Sequence, residues 1–152
     1  MKSIELFVDG ACSGNPGEAG IGVVVIERGK TIQNISLSIG PATNNIAEYT
    51  ALIFGLQEAL ILRADYLQVN TDSELLYNQI KGSYKIKNTS LKSLFAQVDH
   101  LLKGFKRVEF KRIPREQNRD ADRLATKAIK KEQAKVVAPL FVAGEESPSS
   151  EG

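Results

Sequence analysis

The sequence predicts a mixed α/β domain, one five-stranded sheet with helices on both faces, its elements in the order βββαβααβα. Three observations lead there. Apolar residues alternate through three successive N-terminal segments, the period changes to helical spacing after TNN at 43–45, and alternating and helical stretches then take turns as far as residue 131.

Ile4, Leu6 and Val8 alternate as a first strand, which stops at Asp9 and gives way to a loop dense in glycine and proline. Residues 21–26 read as the second strand, ERGK as a turn, and Ile32, Ile35, Leu37 and Ile39 as the third, completing an antiparallel meander. Tyr49, Leu52, Ile53, Leu56 and Leu60 recur at helical spacing and predict a helix over 45–62. Leu67, Val69 and Thr71 make the fourth strand. Helical stretches follow at 73–80 and 91–102, a fifth strand at 108–112 and a last helix at 118–131. Residues 1–131 are thus one domain. Residues 132–143 read as an extension packed on the body, because VVAPLFVA is apolar but interrupted by Pro139, as in an edge segment. The tail at 144–152, GEESPSSEG, has too little apolar surface to offset the entropy of ordering and is expected to be disordered.

A chain of 152 residues fits a single domain with a real core. No run approaches the roughly 18–20 apolar residues that cross a bilayer, and no signal peptide precedes the first strand, so a cytoplasmic monomer without membrane contact is expected. Cys12 is the only cysteine, which excludes an internal disulfide and a thiolate zinc cluster, and the only histidine, His100, sits far away in a helical stretch. The net charge of +2 hides a division: residues 1–131 carry 19 basic and 14 acidic residues, a net of +5, while the remainder is acidic. The basic residues gather at 81–88 and 103–119, interleaved with Tyr84, Phe105 and Phe110. Such clusters suit either a solvated face or a phosphate backbone.

Four acids stand at element ends: Asp9 after the first strand, Glu48 in the first turn of the long helix, Asp72 after the fourth strand, and Asp122 early in the last helix. Each has a local explanation. Asp9-Gly10 is a turn former, Asn45 and Glu48 have capping-box spacing, Asp72 could cap the next helix, and Asp122 could complement a helix dipole. Geometry favours a joint one. At about 100° per residue, Glu48 and Asp122 border the buried stripes of their helices, and parallel neighbouring first and fourth strands would release Asp9 and Asp72 at one end of the sheet. Four carboxylates cannot share a small space as bare anions, and divalent cations remove that cost. Oxygen-only ligands favour Mg²⁺ or Mn²⁺ over zinc.

The blocks DGACSGNPGEAGIG, TNNIAEYTAL, VNTDSELL and NRDADRLA resemble, in order and spacing, the four signature blocks of type 1 ribonuclease H, over residues 1 to about 131. The resemblance implies the ribonuclease H-like fold and a metal-dependent endoribonuclease that hydrolyses the RNA strand of RNA/DNA hybrids, leaving 5'-phosphate and 3'-hydroxyl ends. It implies Asp9, Glu48, Asp72 and Asp122 as catalytic ligands of two Mg²⁺ ions, with Mn²⁺ able to substitute, and Gly10, Cys12, Asn15, Thr43, Asn44 and Asn45 as hybrid contacts. Two departures stand out. The histidine that many bacterial members carry before the last acid is absent, and Arg115 is nearest in position, so it is assigned an electrostatic part in catalysis. The basic helical insertion of many members is absent too, and Lys81, Tyr84, Lys85 and Lys87 are expected to grip the DNA strand in its place. This shorter pattern looks like archaeal and some bacterial members, of which some also cut RNA duplexes; a hybrid-binding module that does not cut is the alternative from another class.

Overall fold

The computed structural model describes residues 1–137, with side chains through residue 130. Strands β1 (Ser3–Cys12), β2 (Gly17–Glu27), β3 (Lys30–Ala42), β4 (Tyr66–Thr71) and β5 (Arg107–Arg112) form one sheet in the order β3-β2-β1-β4-β5. The first three make the antiparallel meander, while β4 runs parallel to β1 and β5 parallel to β4. The helices are α1 (Asn44–Ile61), α2 (Glu74–Ile80), α3 (Thr89–Leu102) and α4 (Arg119–Val137), with a 3₁₀ turn at Arg115–Gln117.

Strand alternation sorts the two faces of the sheet. Ile4, Leu6 and Val8, with Ile21, Val23, Val25, Leu67 and Val69, meet Ala51, Leu52, Leu56 and Ala59 of α1 in the main core. The opposite face of β2 presents Gly20 and Gly22 to α4. A methyl on Gly22 would overlap the carbonyl of Ala121, and one on Gly20 would come within 2.5 Å of the carbonyl of Ala125. Ala121, Ala125 and Ala128 are buried against them. Small residues on both partners let the helix backbone approach the strand closely, and that approach sets where Asp122 stands.

The fold class and element order are those the periodicity predicts. The last helix differs, running through Val137 rather than ending at 131, because nothing from Glu132 onward breaks a helix until Pro139. Val136 and Val137 are therefore helical rather than part of an edge segment. The remainder of the expected extension and the tail at 144–152 lie outside the described residues. Among the described residues no helix is long and apolar enough to cross a membrane.

Candidate active site

Because β1 and β4 are adjacent and parallel, Asp9 and Asp72 come to the same end of the sheet, just past the last pair between the two strands. The first strand does not stop at Asp9 as its sequence suggests: it runs on through Cys12, because β2 still pairs with Asp9, Gly10, Ala11 and Cys12 beyond the point where β4 has ended. The capping explanations for Asp72 and Glu48 do not apply, and Glu48 lies beyond the first turn of α1 because the helix starts at Asn44, whereas Asp122 does stand in the first turn of α4. Ser73, not Asp72, caps α2, its hydroxyl accepting from the Leu76 N–H at 3.1 Å. Thr43, not Asn45, caps α1, its hydroxyl accepting from the Ile46 N–H at 3.2 Å. A hydroxyl on the flanking residue serves each helix end, and the carboxylates are left for other partners.

Those partners lie far away in sequence. Glu48, buried on α1, accepts the Gly10 N–H at 3.2 Å, which ties the helix to the end of β1. Gly10 must lack a Cβ there, since one would run into the backbone of Ala47 and Glu48. Asp72 accepts from Asn118 Nδ2 at 3.0 Å. Asp122, in the first turn of α4, is half-buried, whereas Asp120 is exposed and accepts from Arg123 at 3.0 Å.

The electrostatics show how crowded the acids are. Asp9 is pushed up to about 10, first by burial and then by the charges of Glu48 and Asp72, with Asp122 adding both a hydrogen bond and its charge. Glu48 is also raised, by burial and by Asp72 and Asp122, against the lowering effect of the Gly10 N–H and a hydrogen bond to Asp9. The two buried carboxyls, Asp9 and Glu48, therefore hold protons into neutral pH, with Asp72 and Asp122 close enough for their charges to act on both. Among the described residues no three acid, histidine or cysteine side chains close into a ready-made coordination cage. An all-oxygen, anion-rich set nevertheless fits Mg²⁺, which keeps several of its own waters and takes few protein ligands.

The expected hybrid contacts border this cluster. Asn15 Oδ1 accepts from the Asn44 N–H at 3.0 Å, stitching the GNPG loop to the start of α1, where Thr43, Asn44 and Asn45 precede Glu48. Cys12 is half-buried at the end of β1, its thiol raised by burial and by the charge of Glu48. The Gly10 amide is already bonded to Glu48, so its contribution is to place an acid. Arg115 is exposed in the 3₁₀ turn that leads to α4.

The basic residues occupy a second region. Lys81 caps the C-terminus of α2 with its ammonium 6.0 Å from the Tyr77 ring, and Tyr84, Lys85 and Lys87 lie exposed in the following loop. That loop is anchored: Tyr84 donates to Glu74 at 3.0 Å, and Gln79 donates to the Lys85 carbonyl at 3.4 Å. In the sequence Asn118 is no more than the first residue of the NRDADRLA block and of the last helix. In the structure it is fully buried and joins β1 to Asp72. An asparagine just before a helix is legible; partners 110 and 46 residues away are not.

A five-stranded mixed sheet of this order, with Asp9 and Asp72 brought together by its parallel central strands and Glu48 and Asp122 brought to them by helices, is a ribonuclease H-fold domain. The chain belongs to the family described as "Reverse transcriptase-like", which matches residues 7–128, and within it is a ribonuclease H-like domain of the type 1 pattern. It is 38% identical over 157 residues to the bifunctional protein Rv2228c of Mycobacterium tuberculosis, covering 100% of this chain and 43% of that protein. The chain therefore spans less than half the length of this relative. It is similar to RNase H1 of the halophilic archaeon Halobacterium salinarum, with a TM-score of 0.83 at 34% identity over 85% of this chain and 98% of that one. It is also similar to LC11-RNase H1, crystallised in complex with an RNA/DNA hybrid, with a TM-score of 0.80 at 41% identity over 86% of this chain and 99% of that one.

Proposed function

We propose that this chain is a divalent-metal-dependent endoribonuclease that cuts the RNA strand of RNA/DNA hybrids to leave 5'-phosphate and 3'-hydroxyl ends. One observation carries the reading: carboxyls from four elements converge on one place, where the charges of Asp72 and Asp122 raise the proton affinity of the buried Asp9 and Glu48. The likeness to LC11-RNase H1, which has been crystallised with such a hybrid, supports the substrate class.

Asp9, Glu48, Asp72 and Asp122 would hold two Mg²⁺ ions, with Mn²⁺ able to substitute. Bound ions of this kind supply Lewis-acid activation and a nucleophile at neutral pH, and they relieve the repulsion among the acids. The protein's own part is to orient. The stitched GNPG loop and the start of α1 offer Asn15, Asn44 and Asn45, short polar groups suited to a wide minor groove and its 2'-hydroxyls. Arg115 brings a guanidinium to this end of the molecule, so its part is to steady charge on the departing oxygen by electrostatics rather than to shuttle a proton. Lys81, Lys85 and Lys87 neutralise phosphates of the DNA strand, and Tyr84 packs against a sugar.

The test is a cleavage assay on labelled hybrid, RNA duplex, DNA duplex and single strands, with and without Mg²⁺. Hybrid cut only with metal, and in its RNA strand, is the expected result. Metal-dependent binding without cutting would make the chain a recognition module, and cutting of RNA duplexes would widen the substrate class.

A further inference from the structure

Asn118 stands where β1, β4 and α4 meet, and its hydrogen bonds are unusual for its position. Its carbonyl accepts the Asp122 N–H at 3.1 Å, the first bond of α4, so it occupies the N-cap site of that helix. An asparagine there ordinarily turns its side-chain oxygen back onto the helix N–H groups. Here Oδ1 is buried without a partner among the described residues, and both hydrogens of Nδ2 are spent elsewhere, on the Val8 carbonyl at 2.9 Å and on Asp72 Oδ1 at 3.0 Å. The orientation of the amide is fixed by this pattern, since a flipped amide would set its oxygen against two acceptors. A buried oxygen left unbonded costs free energy that the cap arrangement would have avoided.

We propose that Asn118 is a positioning residue that clamps one oxygen of Asp72 to the end of β1, leaving the other oxygen free to meet a divalent cation. The same residue starts α4 one turn before Asp122, so a single buried amide sets Asp72 against both Asp9 and Asp122. Asp72 has no other side-chain hydrogen bond among the described residues, and without the clamp it would turn freely on its own χ angles. Groups that orient a metal ligand from behind in this way typically control metal affinity about 10–100-fold.

The inference rests on Asp72 as a metal ligand, and the experiment separates the two. Metal-free, hybrid-free protein is titrated with Mn²⁺ by calorimetry as wild type, Asn118→Ser, Asp72→Asn and the double variant, with folding checked by thermal melts. Serine is a good N-cap, so α4 retains its start, but one hydroxyl cannot bridge both acceptors. Asn118→Ser is expected to bind Mn²⁺ about 10–100-fold more weakly. In the Asp72→Asn background the same change is expected to cost nothing further, because its target is gone. Asn118→Gln, which keeps the donors one methylene farther out, should fall between serine and wild type, and it serves alone if the serine variant does not fold. Wild-type Mn²⁺ affinity in folded Asn118→Ser or Asn118→Gln, or fully additive losses in the double variant, would overturn the clamp while leaving Asp72 a ligand. Unchanged affinity in Asp72→Asn would overturn the ligand assignment itself.

Discussion

At the scale of single residues, the site is a set of carboxyls that the fold forces together at a cost to stability. Asp9 is the clearest case. Its proton affinity is raised from the ordinary 3.8 to about 10 in the folded chain, so between those values the folded state binds more protons than the unfolded one. Stability contributed by the protonated group is therefore complete below about pH 4 and is lost as pH rises toward 10. Asp9→Asn removes that dependence. In metal-free protein it should raise the melting temperature at pH 8, on the order of 2 kcal/mol or about 4–8 °C, and change it little at pH 4. Melts at the two pH values check this, and adding Mg²⁺ should raise wild type but not the variant. The two aspartates at the start of α4 make a second contrast. Asp122 joins the coupled acids, while the side chain of Asp120 is 75% exposed and pairs with Arg123. Asp122→Asn should lose at least about 100-fold in cleavage, more than the 10–100-fold of a group behind a ligand, and Asp120→Asn should stay near wild type. Equal losses in steady-state assays would mean that Asp120 also reaches the metal.

At the scale of elements, the acids are placed by two close contacts, α1 on the end of β1 at Gly10 and α4 on β2 at Gly20 and Gly22. The second gives a prediction. An alanine at Gly22 would meet the Ala121 carbonyl, the Ala125 nitrogen at 2.7 Å and Leu124 Cβ at 2.9 Å, and backbone atoms cannot swing aside as a side chain can. Gly22→Ala should cost about 1–3 kcal/mol by urea unfolding. It should also lower cleavage in the folded fraction, because α4 moves away with Asp122. Loss of stability with full specific activity would show that the site tolerates the shift. Strands β1 and β4 and helix α1 were legible in the sequence because each buries one face completely, so Ile4, Leu6 and Val8 or Leu52 and Leu56 repeat at the period of their element. The caps were less so: Asp72 stands beside Ser73 and Asn45 follows Thr43 by two, and local spacing does not say which oxygen turns to the helix. Long-range bonds decide it, Asn118 drawing Asp72 away and Gly10 drawing Glu48. The four acids themselves were legible as positions, but the residue that clamps one of them was not, since its partners lie on other elements.

At the scale of the whole molecule, acids and bases are separated. The carboxyls gather where Asp9 of β1 and Asp72 after β4 meet Glu48 of α1 and Asp122 of α4, and the cationic loop hangs beyond α2, tied down through Gln79 and Glu74. Gln79 in turn accepts from the buried Tyr49 hydroxyl at 2.6 Å, so the loop is joined to the helix that carries Glu48. A fixed loop of this kind holds its lysines at a set distance from the acids, as a partner with regularly spaced phosphates requires. Changing Lys81, Lys85 and Lys87 together to alanine should weaken hybrid binding and reduce the slope of log affinity against log salt by about 0.7–0.9 per lost phosphate contact. An unchanged slope would return the loop to an ordinary solvated surface. Separation also means that binding and cutting can be dissected. The most direct measurement is hybrid affinity and hybrid cleavage on one preparation of Asp72→Asn with Mg²⁺ present, against wild type. The acid cluster should be needed for the chemistry alone, so the variant should bind the hybrid as tightly as wild type, melt no lower than wild type when both are metal-free, and cut it at least about 100-fold more slowly. Cleavage at the wild-type rate by the folded variant would contradict the assignment of the four carboxyls as the catalytic centre.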